Sequence, residues 1–129
     1  MNVEIAVRDY IQSIPEIRNL THGHIYTKYA PINTGGKTDT FVVVDRYESI
    51  PLDRTFSDTV TWLRVKVEVT IYGKNYDNTV KVTELIQKAM EQKWEGSSDG
   101  ELGLEPIEIS NTVWMPFRLD YQIYEYQGD

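Results

Sequence analysis

The sequence NTGGKT, residues 33–38, ends like a phosphate-binding loop. A loop of the type G-x-x-x-x-G-K-[ST] wraps backbone N–H groups around phosphates and then leads into a helix. Here Pro31 occupies the position of the first glycine, and proline has no N–H to offer and a fixed φ. The following residues, TDTFVVV at 38–44, have the composition of a strand. We therefore predict a flexible loop that feeds a strand, and no nucleotide site.

A second candidate for chemistry is the histidine pair His22 and His24. The spacing H-x-H can supply two metal ligands, but a metal site needs a third ligand and a supporting shell. The nearest upstream acid is Glu16, and a polar turn after a helix explains the pair equally well. No G-x-S-x-G elbow is present, and the absence of cysteine excludes disulfides, thiolate ligands and a cysteine nucleophile. We predict no catalytic, cofactor-binding or metal-binding residue, and no enzyme.

The bulk composition limits the class of protein further. The length of 129 residues fits a single domain over 1–129, and the formal charge of −7 comes from 20 acids against 13 bases. This balance argues against a surface that grips nucleic acid but suits one that DNA passes without specific binding. We see no signal peptide and no apolar run long enough to cross a membrane. The chain has nine tyrosines, three tryptophans and three phenylalanines, and a high tyrosine content is typical of proteins with interfaces.

The element order reads α, β, β, β, α, β, β. We predict a first helix capped by Asn2, a helical turn after Pro15, and a second long helix capped by Asn75 or Asp77 and ending near Trp94. The predicted strands are residues 25–29, 41–47, 60–72, 107–109 and 117–126, and the predicted connections include residues 31–39, 48–57 and 95–105.

Strict alternation along residues 60–72 and 117–126 gives each strand one apolar face. Two amphipathic helices need such a surface, so we predict an α+β fold. It is a two-layer sandwich with a mixed or mostly antiparallel sheet of four to five strands and two main helices on one face. The opposite sheet face is either an ordinary solvated face or a subunit interface, because aromatics interleaved with arginine are interface composition. Its candidate interface residues are Trp62, Arg64, Lys66, Glu68, Tyr72, Arg118, Tyr124 and Tyr126.

Two polar connections, residues 31–39 and 95–105, are long for a small domain. The second contains Leu102 and Leu104, and a disordered linker has little use for spaced leucines. We therefore add Leu102 and Leu104 to the interface candidates and expect these loops to contact a partner. The alternative is simple surface variability.

With this order of elements, the chain resembles the tail terminators and related minor tail proteins of long-tailed bacteriophages. The segments that carry the resemblance are IPEI at 14–17, HIYTKYAP at 24–31, TFVVVD at 40–45, RVKVEVTIYGKNYDNTVKVTELIQKAM at 64–90 and FRLDYQIYEY at 117–126. The resemblance implies a structural protein of the virion at the head-proximal end of the tail, assembled in the host cytoplasm. It further implies a homohexameric ring that caps the tail tube, ends its polymerisation and docks the head-completion or connector protein. DNA would pass through its channel, and no cofactor or membrane would be involved.

Two other classes stay open. One is a head-closure (stopper) or other connector ring protein, which has a similar size and the same need to form a ring. The other is a small cytoplasmic enzyme or ligand-binding domain, which needs a pocket with convergent polar groups.

Overall fold

The first helix begins where the sequence predicts its cap. The computed structural model describes residues 2–31, 34–54, 60–94, 98–103, 105–109 and 112–126, and in it α1 spans Val3–Gln12. The Asn2 side chain accepts a hydrogen bond from the Ile5 N–H at 3.3 Å, which satisfies a donor that the first turn leaves unpaired. Val3, Val7 and Ile11 form the buried stripe of this helix.

The second helix, α2, spans Pro15–Thr21 and begins at the proline, whose missing N–H is not needed at that position. It ends at His22, which adopts the left-handed conformation with φ of 53°. Gly23 follows at φ of 77° and donates its N–H to the Arg18 carbonyl at 2.9 Å. This hydrogen bond closes the helix end, and it gives the first histidine of the pair a structural place.

The sheet is mixed and runs in the order β1, β2, β3, β6, β4. Its strands are β1 at Ile25–Thr27, β2 at Thr40–Arg54, β3 at Val60–Gly73, β4 at Ser98–Gly103, β5 at Ile107–Ile109 and β6 at Thr112–Tyr126. β1 is parallel to β2 and the other pairings are antiparallel, with β5 pairing to the start of β6. A 3-10 turn at Thr34–Gly36 precedes β2.

The third helix, α3, spans Tyr76–Lys93 and packs on β3 and β6. Of the two predicted caps, Asn75 is the one used, since its side chain accepts the Asn78 N–H at 3.2 Å. α1 packs on β1, β2 and β3, and α2 packs against α3 and β2. The predicted α+β fold, with a mixed sheet and helices on one face, is confirmed.

The core lies between the helices and the inward face of the sheet. Alternate residues of β3 point inward, as predicted, and Val65, Val67, Val69 and Ile71 have no exposed surface. Their partners on β6 continue the same surface, and the register is Val65 with Ile123, Val67 with Tyr121, and Val69 with Leu119. Burying these rows removes most of the apolar surface of both strands from water, which is the main stabilising term of such a fold.

Parts of two predicted connections, 48–57 and 95–105, are strands instead, and residues 55–57, 95–97 and 104 lie outside the described residues. β2 continues through residues 48–54. Bulges between Arg46 and Glu48 and between Pro51 and Asp53 interrupt the two-residue alternation, so the sequence pattern does not indicate a strand there. Pro51 is tolerated there because β1 pairs only with residues 42–44 of β2 and leaves that stretch at the sheet edge. Within the predicted loop 95–105, residues 98–103 form β4 and pair with β6.

Candidate interaction surface

The sheet face opposite the helices, here called the outer face, carries most of the predicted interface residues. Cross-strand pairing arranges its side chains in rows over β2, β3 and β6. In order along the strands the rows are Phe41, Tyr72 and Pro116; Val43, Thr70 and Arg118; Asp45, Glu68 and Asp120; Glu48, Lys66 and Gln122; Ile50, Arg64 and Tyr124. The candidates from Trp62 to Tyr124 therefore share one face but extend over its whole length.

Three of the candidates have no described side chain. Leu102 lies in β4 opposite Arg118, and Tyr126 lies in β6 opposite Trp62. Only the backbone of these two residues belongs to the described part of the chain, and Leu104 lies outside the described residues. The interface prediction for Leu102, Leu104 and Tyr126 thus stays a prediction.

An aromatic cluster occupies one end of the outer face. The Phe41 and Tyr72 rings stack at 4.9 Å between centroids, and Trp114 meets Phe41 edge-on at 5.0 Å. Lys74 places its Nζ 5.0 Å from the centroid of Trp114. Burial of Tyr72, and secondly the charge of Glu68, raise the pKa of Tyr72 above its usual value. Tyr72 is therefore partly buried by contacts within its own chain, above all by the Phe41 ring.

Beside this cluster lies a groove of about 240 Å³, lined mostly by apolar atoms. We call this surface the groove, and its lining residues are Lys28, Tyr29, Ala30, Phe41, Val43, Tyr72 and Ile107. Tyr29 is 78% exposed and Ile107 is 38% exposed at its rim. The residue before Tyr29, Lys28, is left-handed with φ of 70° and donates its N–H to the Val44 carbonyl at 2.8 Å.

The sequence reading missed the groove because its lining comes from four separate segments of the chain. Only Tyr72 was among the candidates. The signal that was available is the alternation of β2, whose Phe41 and Val43 point to the same face as Tyr72 and Thr70.

The middle of the outer face is acidic. Asp45, Glu68 and Asp120 face one another directly across three strands, an arrangement that like charges make unfavourable. Partial compensation comes from Arg118, whose Nε lies 3.2 Å from Asp120 Oδ2, and from the Thr70 hydroxyl, which donates to Glu68 at 3.2 Å. Asp45 makes no ion pair with any described residue.

The far end of the outer face, here called the aromatic end, comprises Trp62, Arg64 and Tyr124. Trp62 is 41% exposed and Tyr124 is 52% exposed. The Nε of Arg64 is buried and makes no hydrogen bond within the described part of the chain. The neighbouring row is closed by an ion pair of 3.3 Å between Lys66 and Glu48. Exposed aromatic side chains beside an arginine are enriched in binding sites for other proteins.

The loop around Lys37 and the histidine pair, which the sequence singled out for possible chemistry, both have a local structural explanation. After the 3-10 turn at Thr34–Gly36, Lys37 donates its N–H to the Thr34 carbonyl at 3.0 Å, and β2 begins at Thr40. The prediction that a strand follows this loop is confirmed. The His24 ring lies 2.5 Å from the Tyr26 hydroxyl. Burial lowers the pKa of His24, and the charges of Lys37 and His22 lower it further.

The part of the chain that the structure describes holds neither a metal cluster nor a membrane-spanning helix. No group of three or more His, Cys, Asp and Glu side chains there is placed to hold a metal ion. None of the described helices is long and apolar enough to cross a membrane.

The chain matches no protein-family model and no curated protein. The fold defines a class of architecture, an α+β sandwich whose described helices pack on one face of the sheet. Function is therefore inferred from the outer face together with the resemblance in the sequence.

Proposed function

We propose that this protein is a structural protein of a long-tailed bacteriophage, a tail terminator that forms a homohexameric ring on the head-proximal end of the tail tube. The observation that carries the proposal is the outer face, where exposed Trp62 and Tyr124 flank Arg64 with its unsatisfied Nε. The helices pack on the other face. Tryptophan, tyrosine and arginine are enriched at protein–protein interfaces, which supports a protein partner for this face.

The overall architecture and charge support the same proposal. The α+β sandwich is the fold that the resemblance implies, and the long strands β2, β3 and β6 provide a rigid plate for contacts between subunits. The net charge of −7 suits a ring whose channel lets DNA slide through without binding it. In this role the ring stops tube growth and docks the head-completion or connector protein.

The groove does not favour the alternative of a small ligand-binding enzyme. Its volume of about 240 Å³ falls below the roughly 300–1,000 Å³ of typical small-molecule pockets. Its lining is largely apolar, and among the described residues that line it Lys28 is the one with a charge. A catalytic pocket would be expected to bring several polar groups together.

Tube growth in the presence of the purified protein tests the proposal. Tube protein of the same phage is polymerised with and without this chain, and tube lengths are measured by negative-stain electron microscopy. We expect capped tubes of limited length. Tubes that grow to the same lengths with no density at their ends contradict a terminator, and binding to the head-side connector alone assigns the protein to head closure.

A double substitution, Trp62→Ala with Tyr124→Ala, tests the outer face within this function. It should weaken assembly and capping while the circular dichroism spectrum of the subunit stays unchanged. Tyr76→Ala is the matched control, since Tyr76 is 54% exposed but lies on α3 in the other layer. A double variant that assembles like the parent would move the subunit contact to another surface.

A further inference from the structure

We infer that a short β-ribbon beside the groove opens and closes as a unit, and that Trp114 is the side chain that holds it closed. This ribbon consists of β5 and the first three residues of β6, residues 112–114. Its opening would change the apolar surface that the groove offers, so the ribbon is a conformational device built into the fold. The inference goes beyond the proposed function and does not depend on whether the chain forms a ring.

The ribbon extends past the end of β3. The last residue of β3, Gly73, pairs with Met115 of β6, so residues 112–114 lie beyond that ladder. They pair with β5, and β5 pairs with no other described strand. An isolated pair of strands is marginally stable at best in water. The ribbon therefore needs side-chain contacts with the rest of the chain to stay in place.

The base of the ribbon has the features of a hinge. The ladder between β4 and β6 ends at Gly103 with Phe117, and the ladder of β5 begins only at Ile107. Two prolines stand in this interval, Pro106 before β5 and Pro116 in β6. Proline has no N–H, so neither residue can donate a hydrogen bond across the base. The ribbon can thus bend at this point without breaking the ladders on either side.

Trp114 supplies the contact that holds the ribbon. It is 2% exposed, whereas Ile107 and Val113 of the same ribbon are 38% and 56% exposed. Its ring meets Phe41 edge-on at 5.0 Å, and the Nζ of Lys74 lies 5.0 Å from its centroid. A buried tryptophan contributes a large apolar area, and a cation over its ring adds to the attraction. Without this side chain the ribbon would keep only its own short ladder.

The same contact places one wall of the groove. Ile107 lies directly opposite Trp114 in the register, so the two side chains share the face of the ribbon that turns toward Phe41. Ile107 lines the groove together with Phe41 and Tyr29. Release of Trp114 would therefore remove Ile107 from the groove and uncover the edge of the Phe41 ring. The closed ribbon covers apolar surface, and the open ribbon exposes it.

Hydrogen exchange of the full chain, followed by mass spectrometry of its peptides, tests the inference. We expect the amides of residues 107–109 and 112–114 to exchange through a local opening, at a rate that low urea leaves unchanged. The amides of β3 should exchange more slowly and become faster as urea is added. Trp114→Ala should speed exchange in the ribbon at least ~10-fold without the same effect on β3. It should also bind more of the apolar dye ANS than the parent does.

Three substitutions serve as controls. Val113→Ala changes an exposed side chain on the other face of the ribbon and should leave exchange and dye binding as in the parent. Lys74→Met removes the cation but keeps an apolar side chain, so its effect on the ribbon should be smaller than that of Trp114→Ala. Because Lys74 also pairs with Asp39 at 3.6 Å, Asp39→Asn separates loss of this ion pair from loss of the cation over the ring.

The outcomes distinguish a local opening from a global one. Ribbon amides that share the rate and the urea dependence of β3 would mean that the ribbon opens only when the domain unfolds, which overturns the inference. Equal ribbon exchange in the parent and in Trp114→Ala would show that Trp114 does not hold the ribbon, with the same consequence. If Trp114→Ala does not fold, Trp114→Phe takes its place with a smaller expected increase, and the urea dependence of the parent still decides.

Discussion

Gly73 and Thr79 are in closer contact than any side chain at position 73 would allow. A Cβ built on Gly73 would stand 1.7 Å from Thr79 Oγ1 and 2.8 Å from Thr79 Cβ. Gly73 ends β3, and Thr79 sits in the first turns of α3, fully buried, with its hydroxyl donated to the Asn75 carbonyl at 2.6 Å. This close approach fixes the distance between the end of β3 and the first turns of α3.

Gly73→Ala should therefore destabilise the protein. The added methyl forces the strand end and the helix apart, and overpacking of this kind costs about 1–3 kcal/mol or more. Denaturant titration followed by circular dichroism measures the loss. Gly36→Ala is the control, because a Cβ there meets nothing within 4 Å. Equal stability of the two variants would contradict the close contact.

The raised pKa of Tyr72 predicts a loss of stability in alkali. The folded state keeps the phenolic proton at a pH where the unfolded chain releases it, at about pH 10. The contribution is complete below that pH and is lost as the pH rises through the folded pKa. Glu68→Gln should lower the Tyr72 pKa part of the way to its usual value, because burial is the larger cause.

NMR titration of labelled tyrosine, with Tyr72→Phe for assignment, measures this pKa. Glu48→Gln changes another carboxylate of the outer face and should leave the Tyr72 pKa where it is, since Glu48 pairs with Lys66 at 3.3 Å. An unchanged Tyr72 pKa in Glu68→Gln would show that burial alone acts on the phenol.

Lys37→Ala should change neither assembly nor any response to nucleotides. Lys37 follows a 3-10 turn and precedes a strand, whereas a phosphate-binding loop leads into a helix. Isothermal titration with ATP and Mg²⁺ is the measurement. Tight ATP binding by the parent that disappears in Lys37→Ala would reverse this conclusion.

Deletion of residues 97–103 should lower stability as well as any capping activity. The sequence alone predicts a long polar loop over residues 95–105 that contacts a partner. In the structure residues 98–103 are β4, so the deletion takes away the strand that pairs with one edge of β6. Lost ladder hydrogen bonds at about 0.5–1.5 kcal/mol each should be visible in a urea titration. A deletion variant with parental stability would mean that β4 contributes little.

The helices and strands with a strong apolar periodicity were predictable, because that periodicity decides which side chains are buried. The alternation along β3 assigned Val65, Val67 and Val69 to the core, and the two cap candidates, Asn75 and Asp77, placed the start of α3 within two residues. β4 was missed because its sequence, SDGELG, has neither the β-branched residues nor the alternation of a strand, and pairing with β6 determines its conformation.

The candidate surface was predictable only in part, for a similar reason. The outer positions of β3 and β6 follow from alternation, so Trp62, Arg64 and Tyr124 could be named. The groove depends on residues 28–30 lying over β2 and on Ile107 pairing with Trp114. These are tertiary relationships between distant segments, and the local pattern carries no trace of them.

Native mass spectrometry of the purified protein, combined with negative-stain images of the same sample, tests the central claim most directly. The account predicts a closed ring of six copies with an open centre, in equilibrium with smaller species as the concentration falls. It also predicts that Trp62→Ala with Tyr124→Ala shifts this equilibrium to single copies while Tyr76→Ala does not. A protein that remains a single copy at all concentrations and carries a bound small molecule would contradict the ring and favour a ligand-binding domain.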